Sequence, residues 1–201
     1  MTIRKGEPWG EAAEAPAGLR LFDDDRAVGK WLRASGAHAP EQIGIRSGDL
    51  ARTMGGGAPG RFEGTVTRAP VDLLRVRLDG SETLALSHVV LRDRCWLGRV
   101  VLLMNAQFLG RRDVAPRSHP NDGRLDALEV EPSMPLRARW QAVRRSVTGT
   151  HLPHPSLRVR QGPQWSQRFE RPIWCWLDGV RVGRVTEVEV EVVPDGLVVY
   201  V

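Results

Sequence analysis

Residues Asn105 to Glu129 read N-A-Q-F-L-G-R-R-D-V-A-P-R-S-H-P-N-D-G-R-L-D-A-L-E. Pro116, Pro120 and Gly123 punctuate a loop in which Asn121-Asp122-Gly123 is a strong turn signal. Asparagine and aspartate there bond their own backbone, and glycine takes a positive φ without a steric cost. Apolar β-forming runs flank the loop, Val100 to Met104 before it and Leu125 to Val130 after it. The stretch therefore predicts a strand, a structured loop and a second strand, which an ordinary Pro/Gly-punctuated hairpin would also satisfy.

On both sides of this stretch the texture is that of a sheet. Upstream, Phe62–Arg68, Val71–Leu78, Leu84–Leu91 and Gly98–Met104 are short β-branched or leucine runs, with Asp79-Gly80 a hairpin turn between the second and third. Downstream, strands are expected over Leu157–Gln161, Trp165–Phe169, Ile173–Leu177, Gly183–Val193 and Leu197–Val201. Val188, Val190 and Val192 alternate with Glu187, Glu189 and Glu191, so that strand has one buried face and one solvated acidic face. Between these groups lies one helix, with Ser133 as its cap and Pro135 in its first turn. Leu136, Trp140, Val143 and Val147 share one helical face until Gly149, and Arg137, Arg139, Arg144 and Arg145 decorate the rest. The apolar stripe either packs on the sheet, the plainer use, or lies on an anionic lipid surface with Trp140 at the interface.

The first 60 residues differ in character. Met1 to Gly18 is charged and aperiodic, an extended arm. After Leu19–Phe22 and Asp23-Asp24-Asp25, the residues Val28, Trp31 and Leu32 recur at helical spacing. Asp23 or Asp24 caps that helix, and solvated charge is a better account of the three aspartates than a metal site. Gln42–Ile45, a polar turn and a helical turn through Met54 complete a fragment of a parallel β-α-β unit. Gly55-Gly56-Gly57 lacks the lysine and the setting of a phosphate loop and is taken as a linker. The expected fold class is α+β, a mainly antiparallel β-sandwich-like domain with one or two helices preceded by a small α/β unit. The expected boundaries are an arm over 1–18, the α/β unit over 19–60 and the β-rich domain over 61–201.

Composition sets outer limits. The chain has 201 residues, 41% of them hydrophobic, enough for one substantial core or two small ones. No apolar run approaches the roughly 20 residues of a spanning helix, and the N-terminus has no apolar signal region. Cys95 and Cys175 each adjoin tryptophan and have no metal-ligand neighbours, so reduced core thiols and a cytoplasmic location are expected. The net charge of +5 is carried almost wholly by arginine and favours phosphate, on lipid or on nucleic acid. The seven tryptophans look scattered through strand patterns rather than set as a stacking platform, which argues against nucleic acid.

Several motifs resemble the diacylglycerol kinase and sphingosine kinase superfamily of lipid kinases, of the bacterial type. Asn105-Ala106, Ala115-Pro116 and Asp122-Gly123-Arg124-Leu125-Asp126 stand in the order and spacing of that family's second domain. Gly149-Thr150-His151, Asp178-Gly179-Val180 and Pro194-Asp195-Gly196-Leu197 are similar to its later steps. Asp49, Ala51 and Arg52 match the end of its Gly-Thr-Gly-Asn-Asp-Phe-Ala-Arg nucleotide loop. The resemblance implies that residues 19–60 are a remnant of the family's nucleotide-binding domain. Departures are as informative. Asp23 to Asp25 stand where the family has its glycine-rich phosphate loop, and aspartate there adds bulk and like charge against a triphosphate. Val180 stands where the family carries its general-base glutamate, and valine accepts no proton.

The resemblance therefore implies a shortened, non-catalytic relative that binds a lipid, a lipid phosphate or a protein partner at or near the cytoplasmic membrane. Arg137, Trp140, Arg144 and Arg145 are its candidate membrane-facing residues. Asp49 and Arg52 are its nucleotide-site remnant, and no cofactor is expected. Asp122 matches a turn that helps hold a structural magnesium in the family, or else caps its own loop. The alternative is an ATP- and magnesium-dependent lipid kinase completed by a partner subunit, with Asp122 or Asp49 as acid and base. Open sheet edges make a homodimer the expected assembly.

Overall fold

The computed structural model describes residues 9–35, 42–56, 62, 64–93 and 96–201. Strands β1 (Glu11–Glu14) and β2 (Arg20–Phe22) lead to helix α1 (Asp25–Ser35), β3 (Gln42–Ile45) and the short helix α2 (Asp49–Thr53). Asp24 caps α1 by accepting the Ala27 amide at 2.8 Å, as the acidic run predicts. β2 and β3 pair in parallel, so the expected β-α-β unit forms. Then come β4 (Thr65–Leu78), β5 (Ser81–Ala85), β6 (His88–Arg92), β7 (Val100–Met104), β8 (Phe108–Leu109), β9 (Arg112–Asp113) and β10 (Leu125–Val130). Helix α3 (Leu136–Arg145) with a 3-10 turn (Ser146–Thr148) precedes β11 (Leu157–Gly162), β12 (Gln164–Leu177) and β13 (Val180–Tyr200).

The opening stretch folds as read. β7 and β10 are antiparallel neighbours from Val100↔Val130 to Met104↔Asp126, and the loop between them carries the β8–β9 hairpin. Gly123 has the positive φ (68°) that the turn demands. The main sheet runs β1-β4-β13-β12-β6-β7-β10-β11. β3 joins it in parallel along the last residues of β13, so the sheet crosses the expected boundary near residue 60 without a break. A common core makes the same join: Val28, Leu32, Ile43 and Leu50 pack with Val71, Leu73, Leu197 and Val199.

Several boundaries differ from expectation. Phe62–Arg68 and Val71–Leu78 are one strand, β4, continuous through Pro70. Leu84–Leu91 is two strands, because the amides of Leu86, Ser87 and His88 turn onto the buried Asp178 carboxylate instead of a neighbouring strand. The last four expected runs fuse pairwise into β12 and β13, with register shifts between Arg168 and Ile173 and between Val193 and Leu197. Part of the expected N-terminal arm is pinned, since β1 pairs with β4 and Trp9 meets His119 edge-on at 4.5 Å. Ser133 does not cap α3: Pro135 occupies the cap position and no side chain bonds the first turn. The helical segment does end where expected, at Gly149 with φ 67°.

Candidate functional site

Asp49 and Arg52, expected from the sequence as a nucleotide-site remnant, both turn to the tip of the β8–β9 hairpin. Asp49 accepts the Gly110 amide at 2.7 Å, and Arg52 donates to the Gly110 carbonyl at 2.6 Å while lying over the Phe108 ring at 5.3 Å. Thr53 adds a third tie by accepting the Gln107 amide at 3.0 Å. At the front of α2, the Asp25 carboxylate accepts the amides of Asp49 and Leu50, so these first-turn donors are satisfied within the chain. Gly48 packs against that carboxylate, and a Cβ there would come within 2.7 Å of it. Burial, with the charges of Asp49 and Asp178 adding to it, pushes the Asp25 carboxyl up to about 8. Burial also raises Asp49, whose second oxygen lies 3.6 Å from Nδ1 of the buried His88.

Asp178 and Gly179 form the two-residue turn between β12 and β13, with φ of 47° and 74°. Asp178 is 2% exposed and spends its carboxylate on the Leu86, Ser87 and His88 amides, with the Arg33 guanidinium 3.6 Å away. Val180 follows at the start of β13, and its side chain has no proton to exchange. The imidazole–carboxylate pair of His88 with Asp49 is covered by the hairpin rather than open to a substrate.

Asp122 accepts the Arg124 amide at 3.0 Å, a turn aspartate bonding its own loop. Neighbouring Asp72, unremarked in the sequence, ties that loop to the β13 bulge by accepting the Gly123 amide at 2.8 Å and the Asp195 amide at 3.0 Å. Burial pushes both carboxyls up to about 6. Among the described residues no three His, Cys, Asp or Glu side chains are grouped to hold a metal ion. Cys175 is buried and unpaired, with its thiol pushed up to about 12 by burial; Cys95 lies outside the described residues, as does Gly57 of the expected linker.

Helix α3 departs most from the plainer expectation. Leu136, Trp140, Val143 and Val147 point away from the sheet, at 65, 58, 46 and 57% exposure. Its inner face is Ala138, Arg139, Ala142 and Ser146, small side chains apart from the arginine. Arg139, expected among the solvated residues, is 9% exposed. It donates to the carbonyls of Trp96 (2.9 Å), Gly98 (2.7 Å), Glu131 (2.8 Å), Pro132 (3.3 Å) and Met134 (3.2 Å). Five carbonyls compensate the buried charge and fix the helix with its apolar stripe outward. Arg137, Arg144 and Arg145 are exposed beside that stripe, and Arg144 lies over the Trp140 ring at 4.7 Å. Between α3 and the sheet is an apolar cavity of about 470 Å³, walled by Val100, Leu102, Leu128, Met134 and Leu157 and reaching Val143 at its rim. The structure thus brings Arg137, Trp140, Arg144 and Arg145 together over an apolar cavity, and places Asp49, Arg52 and Asp122 in internal bonds.

No protein-family model and no curated protein matches this sequence. Its fold does have solved counterparts, among them structures described as diacylglycerol kinases. A presumed diacylglycerol kinase from Bacillus anthracis str. Sterne superposes with a TM-score of 0.65 at 14% identity, over 90% of this chain and 77% of that one. A second structure of a presumed diacylglycerol kinase from the same organism gives 0.65 at 13% identity, over 89% and 76%. A third, described as a diacylglycerol kinase of that organism, gives 0.57 at 14% identity, over 89% and 74%. At such identity the likeness is one of fold, and this chain has the α+β, diacylglycerol kinase-like fold that its motifs resemble.

Proposed function

We propose that this protein is a non-catalytic, lipid-kinase-like protein that binds a lipid at an anionic membrane surface, with α3 as the contacting element. The outward stripe of Leu136, Trp140, Val143 and Val147 carries the proposal. A basic amphipathic helix with tryptophan on its apolar side gains from apolar burial at the bilayer interface and from attraction to anionic headgroups. The cavity beneath α3 lies within the ~300–1,000 Å³ range of small-molecule sites, and its walls suit a hydrocarbon chain. Against turnover stand Val180 in place of a base and the engagement of Asp49 and Arg52 by Gly110.

Flotation with vesicles tests the proposal. The protein is expected to float with phosphatidylcholine vesicles containing phosphatidylglycerol and to stay behind with phosphatidylcholine alone; binding indifferent to anionic lipid would overturn the membrane role. The buried pair His88 and Asp49, beside Asp178, keeps a second possibility, a kinase completed by a partner subunit. Isothermal titration with magnesium and ATP separates the two, and no heat up to millimolar nucleotide is expected.

A further inference from the structure

The sheet face beneath α3 continues past the helix. Strand register places Arg181, Trp176, Val90, Leu102 and Leu128 in one row across β13, β12, β6, β7 and β10. The next row is Arg184, Trp174, Arg92, Val100 and Val130. Directly opposed residues on neighbouring strands point to the same side, so both rows share the side that α3 covers. The helix covers the apolar end of each row. The other end is a terrace of tryptophan and arginine.

Its side chains are stacked on one another. The Arg92 guanidinium lies over the Trp176 ring at 4.0 Å and the Trp96 ring at 4.4 Å. Arg181 and Arg184 lie over Trp174 at 4.9 and 5.8 Å, and the two strand indoles are 6.4 Å apart. At the seam with α3 stand Trp96 and Leu97, 45 and 53% exposed, on a loop whose carbonyls Arg139 holds from the helix. Four of the seven tryptophans therefore lie on one side of the molecule, each with arginine over its ring.

We propose that this terrace binds the phosphates of anionic phospholipid headgroups, while Trp96, Leu97 and the α3 stripe enter the apolar boundary above them. This rests on the membrane role proposed for α3 and assigns the rest of the docking face. The terrace is set back from the outer side of α3 by about a helix diameter, ~10 Å. A bilayer's headgroup layer is roughly 5–8 Å thick on each side, so the stripe reaches the acyl boundary when the arginines reach the phosphates. Guanidinium on indole keeps its charge while covering an aromatic surface, a combination suited to the interface. Single-stranded nucleic acid would need exposed ring faces for its bases, and here guanidinium groups lie over them. A second copy of this chain would set arginine against arginine across a two-fold axis.

Arg181→Gln/Arg184→Gln tests the assignment at two exposed positions, with Leu136→Ser/Val143→Ser on α3 as the companion variant. On vesicles containing phosphatidylglycerol at low salt, loss of two surface charges is expected to weaken binding about 30-fold. Neither the wild type nor the arginine variant is expected to float with pure phosphatidylcholine. Wild-type affinity in the arginine variant, with binding lost in the α3 variant, would remove the terrace and leave the α3 proposal standing. Absence of vesicle binding in every form would remove both. Tight binding of an oligonucleotide, lost in the arginine variant and kept in the α3 variant, would overturn the lipid assignment in favour of nucleic acid.

Discussion

Trp140→Ala separates the two uses of α3, core packing and surface docking. An aromatic side chain offers ~150–250 Å² for burial, so an indole that is 58% exposed presents about 145 Å² outside the fold. At ~25 cal/mol per Å², full burial of that area in a bilayer is worth about 3.6 kcal/mol. A helix lying flat in the interface buries roughly half, about 1.8 kcal/mol, which is a ~20-fold change in partitioning. The folded state loses about 1 kcal/mol at most, because the Arg144 contact is itself exposed. For a chain of 201 residues that is a fall in Tm of ~2–4 °C. Sedimentation with phosphatidylglycerol vesicles, paired with a thermal melt, measures both quantities. If the indole belonged to the core, its removal would cost ~3–5 kcal/mol and lower Tm by ten degrees or so. A fall of that size with unchanged vesicle binding would refute the outward orientation of α3.

Other expectations follow from the remaining bonds. Arg139→Met leaves the carbonyls of Trp96 and Gly98 without their side-chain donor and should cost about 2–4 kcal/mol in chemical denaturation, with faster amide exchange at 96–98. The Asp25 carboxyl is raised on folding from 3.8 to about 8, so its contribution is full below pH 3.8 and is lost as pH rises through 8. Tm should therefore fall from pH 5 to pH 9 in the wild type, and less so in Asp25→Asn. Val180→Glu introduces a carboxylate next to the Asp178-Gly179 turn but leaves Asp49 and Arg52 bound to Gly110; no transfer of labelled phosphate from ATP to diacylglycerol is expected.

What the sequence showed, and what it hid, divides along local and long-range lines. The strands β7 and β10, the Asp79-Gly80 turn, the Asp24 cap and the valine–glutamate alternation of β13 are all set by neighbours within a few residues, and each forms where the pattern places it. Periodicity on α3 identified which residues share a face. It could not tell which face turns inward, because Ala138, Ala142 and Ser146 make a second stripe at the same spacing and the decision rests with Arg139. That side chain is satisfied by carbonyls some 40 residues away in sequence, at Trp96 and Gly98. Asp49 and Arg52 likewise meet Gly110 across 61 and 58 positions. Asp72 sits inside an apolar run that reads as plain strand, and the tryptophans look scattered until register aligns Trp174 with Arg92 and Trp176 with Val90.

The central place of β13 bears on how the chain is made. This strand pairs with β4 on one side, β12 on the other and β3 at its end, yet it leaves the ribosome after every one of these partners. Until it arrives, β4 has an open edge rich in leucine and valine, and α1 and β3 lack the Leu197 and Val199 that complete their core. Folding thus waits on contacts more than 100 residues apart in sequence, such as Val76 with Val190, and belongs to the slow class of sheet proteins. A nascent chain stalled before residue 180 would expose that edge to other chains, which makes the interval before β13 emerges the step at which chaperones or aggregation compete for the protein.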